Sequence, residues 1–353
     1  MKIDFSILIS LSDFEIKDDI MSKNYHPYKN TNGIFLMLMH AFATSMLYVI
    51  IKYITEFISS NQVVFFYKSL VLLAVIPWVL YDGIRCIKTK KLKLHLLRGV
   101  VSTLAALLFF YGLSKVDVAS ATALNKMEPV LLMVIGAIFF NEKLSRVRIS
   151  TVILSCIGML FVVYPIIAMN EYGLDFPWLY GKSTLNHNYL IILAAVFLWT
   201  LNSSIVKTLG KTESNRTQLF YVSLFSVLIS MPTAVFKWDV QSVVGVDILW
   251  ISEMNPFSEL NSYLVGLLIC AAMLHFMHVA CYFQSLKIAE MSVVIPFDYT
   301  RLVFGGLLGY CFFGNVPSLS STIGYCLILG SGIYLLSIEA RNKRKLATIV
   351  HGA

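Results

Sequence analysis

Ten apolar stretches, each long enough to cross a bilayer, run through this chain of 353 residues. A hydrocarbon core about 30 Å thick takes roughly 20 apolar residues per helix. The stretches fall at about 33–53, 61–82, 96–113, 118–140, 147–167, 188–208, 217–236, 262–286, 291–312 and 320–338. With 58% hydrophobic and only 14% charged residues, no water-facing surface could hide what the chain carries. The fold class expected is therefore an all-α integral membrane protein.

The formal charge of +8 would suit a nucleic-acid surface, but its distribution argues against one. Alternate connections, counted with the two termini, hold twenty Lys and Arg residues, from Lys2 to Lys345. The other side holds three, Lys115, Lys182 and Lys237. Such a bias places both termini in the cytoplasm and makes the basic excess a topology signal. The six cysteines form no close metal-type pair, and five of them sit in apolar segments as lipophilic fillers. Residues 1–32 are polar, and their short apolar patch makes no convincing signal peptide. Met21 precedes a basic segment that runs into the first span, so it competes with Met1 as the natural start.

The last five segments repeat the first five. Asn61, Phe66, Tyr67, Ser69 and Leu70 are echoed by Asn215, Phe220, Tyr221, Ser223 and Leu224 at a shift of 154. Pro77 matches Pro232 at 155, as Lys52 matches Lys207. The fourth and ninth spans agree at 173, where Phe139-Phe140 meets Phe312-Phe313 and Ser145 meets Ser318. A repeat with an odd number of spans inserts its second copy inverted. That plan belongs to secondary transporters, whose substrate site lies at mid-membrane between the copies. The domain reading is a cytoplasmic segment 1–32, a first repeat 33–167, an extracytoplasmic loop 168–187, a second repeat 188–338 and a basic tail 339–353.

Over about 34–338 the chain resembles the EamA-like ten-helix carriers of the drug/metabolite transporter superfamily. The resemblance is carried best by Val294-Ile295-Pro296-Phe297-Asp298-Tyr299-Thr300-Arg301-Leu302, then Gly305-Gly306 and Phe312-Phe313-Gly314. The aromatic-then-cation opening of that family's second span stands here as Phe66-Tyr67-Lys68, with Lys where Arg is common. The family's Gly-Glu turn is Gly314-Asn315 in the second half, while the first half keeps Asn141-Glu142. The resemblance implies two inverted five-helix bundles around a central cavity. The ninth span is also similar to a branch that includes S-adenosylmethionine uptake carriers, which suggests that substrate.

Ionisable groups within the spans point to the site. Each costs roughly 2.5–3.5 kcal/mol at the bilayer centre, and Lys68, Lys126, Glu128, Asp298 and Arg301 together cost on the order of 10 kcal/mol unless paired or wetted. They are expected to face the bundle interior. Residues three apart share a helix face, so Asn125 lies with Glu128, Asp298 lies with Arg301, and Lys126 points elsewhere with Thr122 and Met133. Under the shift of 173, Asn125 maps to Asp298 and Glu128 to Arg301, which predicts a Glu128–Arg301 pair. Three cations against two carboxylates leave one unpaired cation, Lys68 or Lys126, as a seat for a substrate carboxylate. Pro129 and Pro296 beside them each free a backbone carbonyl.

The expected function is a secondary transporter moving a small organic metabolite, an amino acid or nucleoside-like zwitterion, across the cytoplasmic membrane by alternating access. Substrate contacts are expected from Lys68, Lys126, Glu128, Asp298, Tyr299, Arg301, Tyr67, Trp199 and Tyr48. Glu128 and Asp298 are the groups available for coupling to a proton. Tyr221 is a further candidate lining residue. His40, His275 and His278 are read as packing or hydrogen-bonding residues; the last two are three apart on one face but lack an evident third ligand, so no metal and no cofactor is expected. The expected surroundings are membrane lipid, without nucleic acid, as a monomer or a homodimer. An intramembrane lipid-modifying enzyme, or a channel or receptor without carrier activity, are the alternatives. No Asp-rich motif or His-Glu metal helix supports the enzyme.

Overall fold

A computed structural model describes residues 27–83, 87–140, 146–163, 168–170, 173–175, 187–209, 212–235, 261–289, 294 and 297–351. Pro296, the Asn141-Glu142 turn, most of the amino-terminal segment and most of the two long loops lie outside these residues. The elements are α1 (Pro27–Ile54), α2 (Ser60–Asp82), α3 (Leu92–Lys115), α4 (Val118–Asn125), α5 (Glu128–Phe140) and α6 (Arg146–Val163). A short hairpin follows, β1 (Ala168–Asn170) and β2 (Gly173–Asp175), antiparallel with Ala168 opposite Asp175. Then come α7 (His187–Leu209), α8 (Asn215–Val235), α9 (Ser262–Ile288), α10 (Thr300–Phe313) and α11 (Leu319–His351).

Seven stretches among the described residues are long and apolar enough to cross a membrane: 31–54, 60–81, 92–115, 118–135, 187–206, 217–234 and 262–286. Three shorter apolar helices cover 149–163, 300–313 and 319–335. These ten coincide in position with the ten apolar segments of the sequence. The 14 residues of α10 rise only about 21 Å, short of the hydrocarbon thickness. They are the second part of a predicted span that is interrupted at Tyr299. The tenth helix does not stop at its apolar part: α11 continues through the basic tail to His351.

The caps follow from sequence. Ser59 opens α2 with a capping box, its Oγ accepting from Gln62 N at 3.3 Å while its own N–H donates to Gln62 Oε1 at 3.1 Å. Asp117 caps α4 by accepting from Ser120 N at 2.7 Å. Gly314 ends α10 with φ 66°, a left-handed conformation that explains a glycine at this turn.

The chain groups into two compact units, each drawn from both halves of the sequence. The first takes 47–115 and 194–280, the second 25–46, 116–193 and 281–353. In the first unit α8 packs against both α2 and α3, with a Cβ at Gly99 unable to fit beside Phe225. Arg98 ties α3 to α8 there, its Nη1 donating to Gln218 O and Oε1, both at 3.1 Å. Lys52 donates to Leu113 O near the end of α3 at 3.2 Å.

In the second unit α6 crosses α11 backbone to backbone. A Cβ on Gly158 would meet Gly324 O at 2.9 Å, and one on Gly324 would meet Gly158 O at 2.6 Å. Ser155 and Ser331 share a hydrogen bond of 2.6 Å beside the crossing. Small residues allow this approach in lipid, where close van der Waals packing replaces the hydrophobic drive. The same device joins α10 to α4, with Gly305 facing Thr122 and Gly309 facing Val118.

Candidate functional site: two interrupted spans

The fourth span is not continuous. It turns at Lys126 and Met127 between α4 and α5, where Met127 N–H reaches only three residues back, to Leu124 O at 2.9 Å. Proline has no N–H and its ring clashes with the carbonyl four residues earlier. For Pro129 that carbonyl belongs to Asn125, the last residue of α4. The ninth span turns at Tyr299, with Leu302 N–H reaching Tyr299 O at 3.1 Å. Under the shift of 173, Tyr299 is the counterpart of Lys126, so both spans break at the same register of the repeat. A break frees backbone groups, and irregular backbone at membrane depth is tolerated only where protein or a wet cavity covers it.

The side chains flanking the two breaks hold each other. The Lys126 ammonium pairs with Asp298 Oδ2. Arg301 Nη2 donates to Asn125 Oδ1 at 2.7 Å. His40 of α1 places Nε2 3.2 Å from the other Asp298 oxygen, Oδ1, and its ring packs on Tyr282 at 5.0 Å between centroids. Lys126 also sits over the Tyr299 ring, its Nζ 5.0 Å from the centroid. Ser45, also of α1, donates to Arg301 O at 2.9 Å. Lys126 is buried, while Glu128, Asp298 and Arg301 are half-buried.

This geometry changes two sequence expectations. Lys126 does not point away from the face of Asn125, because the turn at 126–127 breaks the regular 100° advance on which that expectation rested. It is also not an unpaired cation, since Asp298 neutralises it. Arg301 engages Asn125, the residue one turn before Glu128. Glu128 stands half-buried at the start of α5, just past the first break.

Of the nine predicted substrate contacts, Lys126, Glu128, Asp298, Tyr299 and Arg301 belong to the second unit. Tyr48, Tyr67, Lys68 and Trp199 belong to the first, where the aromatics gather around Phe109 and Phe110. Phe109 lies 5.1 Å from Tyr48 and 4.7 Å from Trp199, and Tyr67 lies 5.8 Å from Phe110. Lys68 lies 5.7 Å from the Tyr67 ring. His275 and His278 meet each other, with 3.1 Å between Nδ1 and Nε2, and His275 stands edge-on to Tyr67. Tyr221 is tied elsewhere, donating to Ile87 O at 2.9 Å and packing on His95.

His40, which sequence reading assigned to packing or hydrogen bonding, and Tyr282, which it missed, also contribute. Gly332 is a third. A Cβ there would overlap the Tyr299 ring, with Cε1 only 2.7 Å away. Gly332→Ala is therefore expected to displace Tyr299 from Lys126, lowering transport about tenfold while the protein still folds. Initial uptake rates, together with the elution profile of the purified variant, check this.

Comparison with known proteins agrees with this architecture. The model of the EamA-like transporter family matches twice, over residues 31–164 and 187–338. An S-adenosylmethionine uptake transporter of Rickettsia prowazekii is 23% identical over 314 residues, covering 88% of this chain and 94% of that protein. A riboflavin transporter of Brucella anthropi is 24% identical over 287 residues, covering 81% and 91%. A crystal structure at 16% identity aligns with a TM-score of 0.51 over 89% of this chain and 97% of the other, a likeness of fold. Two matches of one family model, spanning most of a multi-pass membrane chain, identify it as a member of the EamA-like transporter family.

Proposed function

We propose that the protein is a secondary carrier that moves a small organic metabolite across the cytoplasmic membrane by alternating access, with both termini in the cytoplasm. The substrate site is the cluster of Lys126, Glu128, Asp298, Tyr299 and Arg301, and residues 33–167 and 188–338 act as inverted repeats. The observation that carries the reading is the coincidence of the two breaks, each flanked by side chains that grip the other span. A pair of interrupted helices in corresponding positions of two repeats is the common form of a transporter site. Lys126 and Asp298 can exchange their mutual contact for the carboxylate and ammonium of a zwitterion, and Tyr299 offers a ring face to a cationic or flat group. S-adenosylmethionine carries all three features and is the transported compound in the name of one relative.

Counterflow in proteoliposomes tests this. Liposomes preloaded with unlabelled S-adenosylmethionine are expected to take up labelled compound in a transient overshoot. A channel gives no overshoot, and an enzyme converts the label. Arg301→Leu is expected to lower the overshoot at least tenfold, because the guanidinium holding Asn125 is gone. A wild-type overshoot in the Arg301→Leu/Glu128→Leu double variant excludes both residues from substrate binding and coupling.

A further inference from the structure

Building on the carrier reading, we infer that the first unit contains a separate seat for the substrate's carboxylate at Lys68, used while Lys126 stays on Asp298. Three cations against two carboxylates leave one surplus cation, either Lys68 or Lys126. Asp298 pairs with Lys126, so the surplus falls on Lys68. The spans that contribute to the first unit, 60–81, 92–115, 187–206, 217–234 and 262–286, contain no Asp or Glu. No rearrangement among those helices can bring a carboxylate to Lys68. Among the described residues, no carboxylate lies within ion-pair distance of it. Lys52 and Arg98 of the same unit donate to Leu113 O and to Gln218. Lys68 instead borders the Tyr67 ring, its Nζ 5.7 Å from the centroid.

Depth decides what can pair with it. Lys68 follows Ser60 by eight residues, which puts it about 12 Å into a 22-residue span. Lysines near helix ends snorkel to the headgroups, whereas a cation at mid-depth marks a path for substrate or ions. Lys68 is half-buried, so its ammonium is not sealed away from a solute. Tyr67 is buried and stands edge-on to His275, with 5.4 Å between centroids, so the surroundings are aromatic and not acidic. A carboxylate arriving there gains a charge-assisted contact without displacing an ion pair. At Lys126 the same carboxylate must first replace Asp298. The seat therefore selects an organic acid. Amino acids and S-adenosylmethionine carry the required group, and riboflavin lacks it.

Decarboxylated compounds test the inference. Counterflow into proteoliposomes is measured for wild type with S-adenosylmethionine, riboflavin and an amino-acid panel. For each transported acid, inhibition of its uptake is then compared between the unlabelled compound and its decarboxylated amine. Wild type is expected to prefer the acid roughly tenfold or more, and Lys68→Met to keep a preference of about threefold or less. Lys68→Arg, which retains the charge, should retain the preference. Lys68→Met without ligand should unfold no lower than wild type, because it removes an uncompensated charge from the span. A preference unchanged in Lys68→Met, or lost in Lys68→Arg, overturns the seat and leaves the carrier reading standing. Unfolding of Lys68→Met several degrees below wild type does the same, since the ammonium would then have a partner within the protein. So does a wild type that moves riboflavin alone. Absence of wild-type counterflow with every compound overturns the carrier reading, and the seat with it.

Discussion

Asp298→Leu is expected to destabilise the protein by about 3–5 kcal/mol and to abolish transport, because it strands a buried ammonium. Lys126 is 4% exposed, and Asp298 is the carboxylate that neutralises it. Breaking a buried pair from one side costs far more than the pair contributes, while replacing both partners by apolar groups of similar volume is often neutral. Lys126→Met combined with Asp298→Leu should therefore recover most of the lost stability. Transport should stay at background, since neither charge remains for a substrate. Thermal unfolding in detergent and uptake in proteoliposomes separate the two effects. Asp298→Leu that unfolds like wild type would mean that Lys126 reaches water or another counter-charge.

Gly324→Ala is the substitution expected to damage the fold most for its size. The added carbon meets the carbonyl oxygen of Gly158 at 2.6 Å and Val162 N at 3.1 Å. These are backbone atoms, which cannot rotate aside as a flexible side chain would. Helices α6 and α11 must separate along their crossing, stretching the Ser155–Ser331 hydrogen bond. Overpacking of this kind typically costs about 1–3 kcal/mol, with more expected here because two of the three crowding atoms are backbone. Membrane-integrated protein should fall several-fold, and the purified remainder should unfold at a lower temperature. Gly266→Ala is the matched control, because a Cβ at Gly266 meets nothing within 4 Å.

Hydrophobicity made the positions of the helices legible in sequence, because in lipid each backbone polar group must be bonded within its own segment. Five of the residues gathered in the second unit were legible for a related reason, namely the cost of placing Lys126, Glu128, Asp298 and Arg301 at mid-depth and the position of Tyr299 among them. The orientation of Lys126 was not, because a helical wheel assumes an unbroken helix. The warning was present in Pro129, whose ring displaces the Asn125 carbonyl four residues back. His40 was legible only as a packing or hydrogen-bonding residue. It stands in an apolar span with no charged neighbour along the chain, and only folding brings α1 against Asp298. Gly332 is similar: its role depends on a ring 33 positions away.

The central claim is that the paired breaks form the substrate site, and ligand-induced stabilisation tests it most directly. A ligand that binds only the folded state at about 100 times its dissociation constant adds about 2.7 kcal/mol. Purified wild type should therefore unfold several degrees higher with at least one compound among S-adenosylmethionine, riboflavin and the amino acids. That shift should vanish in Arg301→Leu, provided the unliganded variant unfolds cooperatively. The same shift in wild type and Arg301→Leu would contradict the account, because the compound would then be bound somewhere other than the two broken spans.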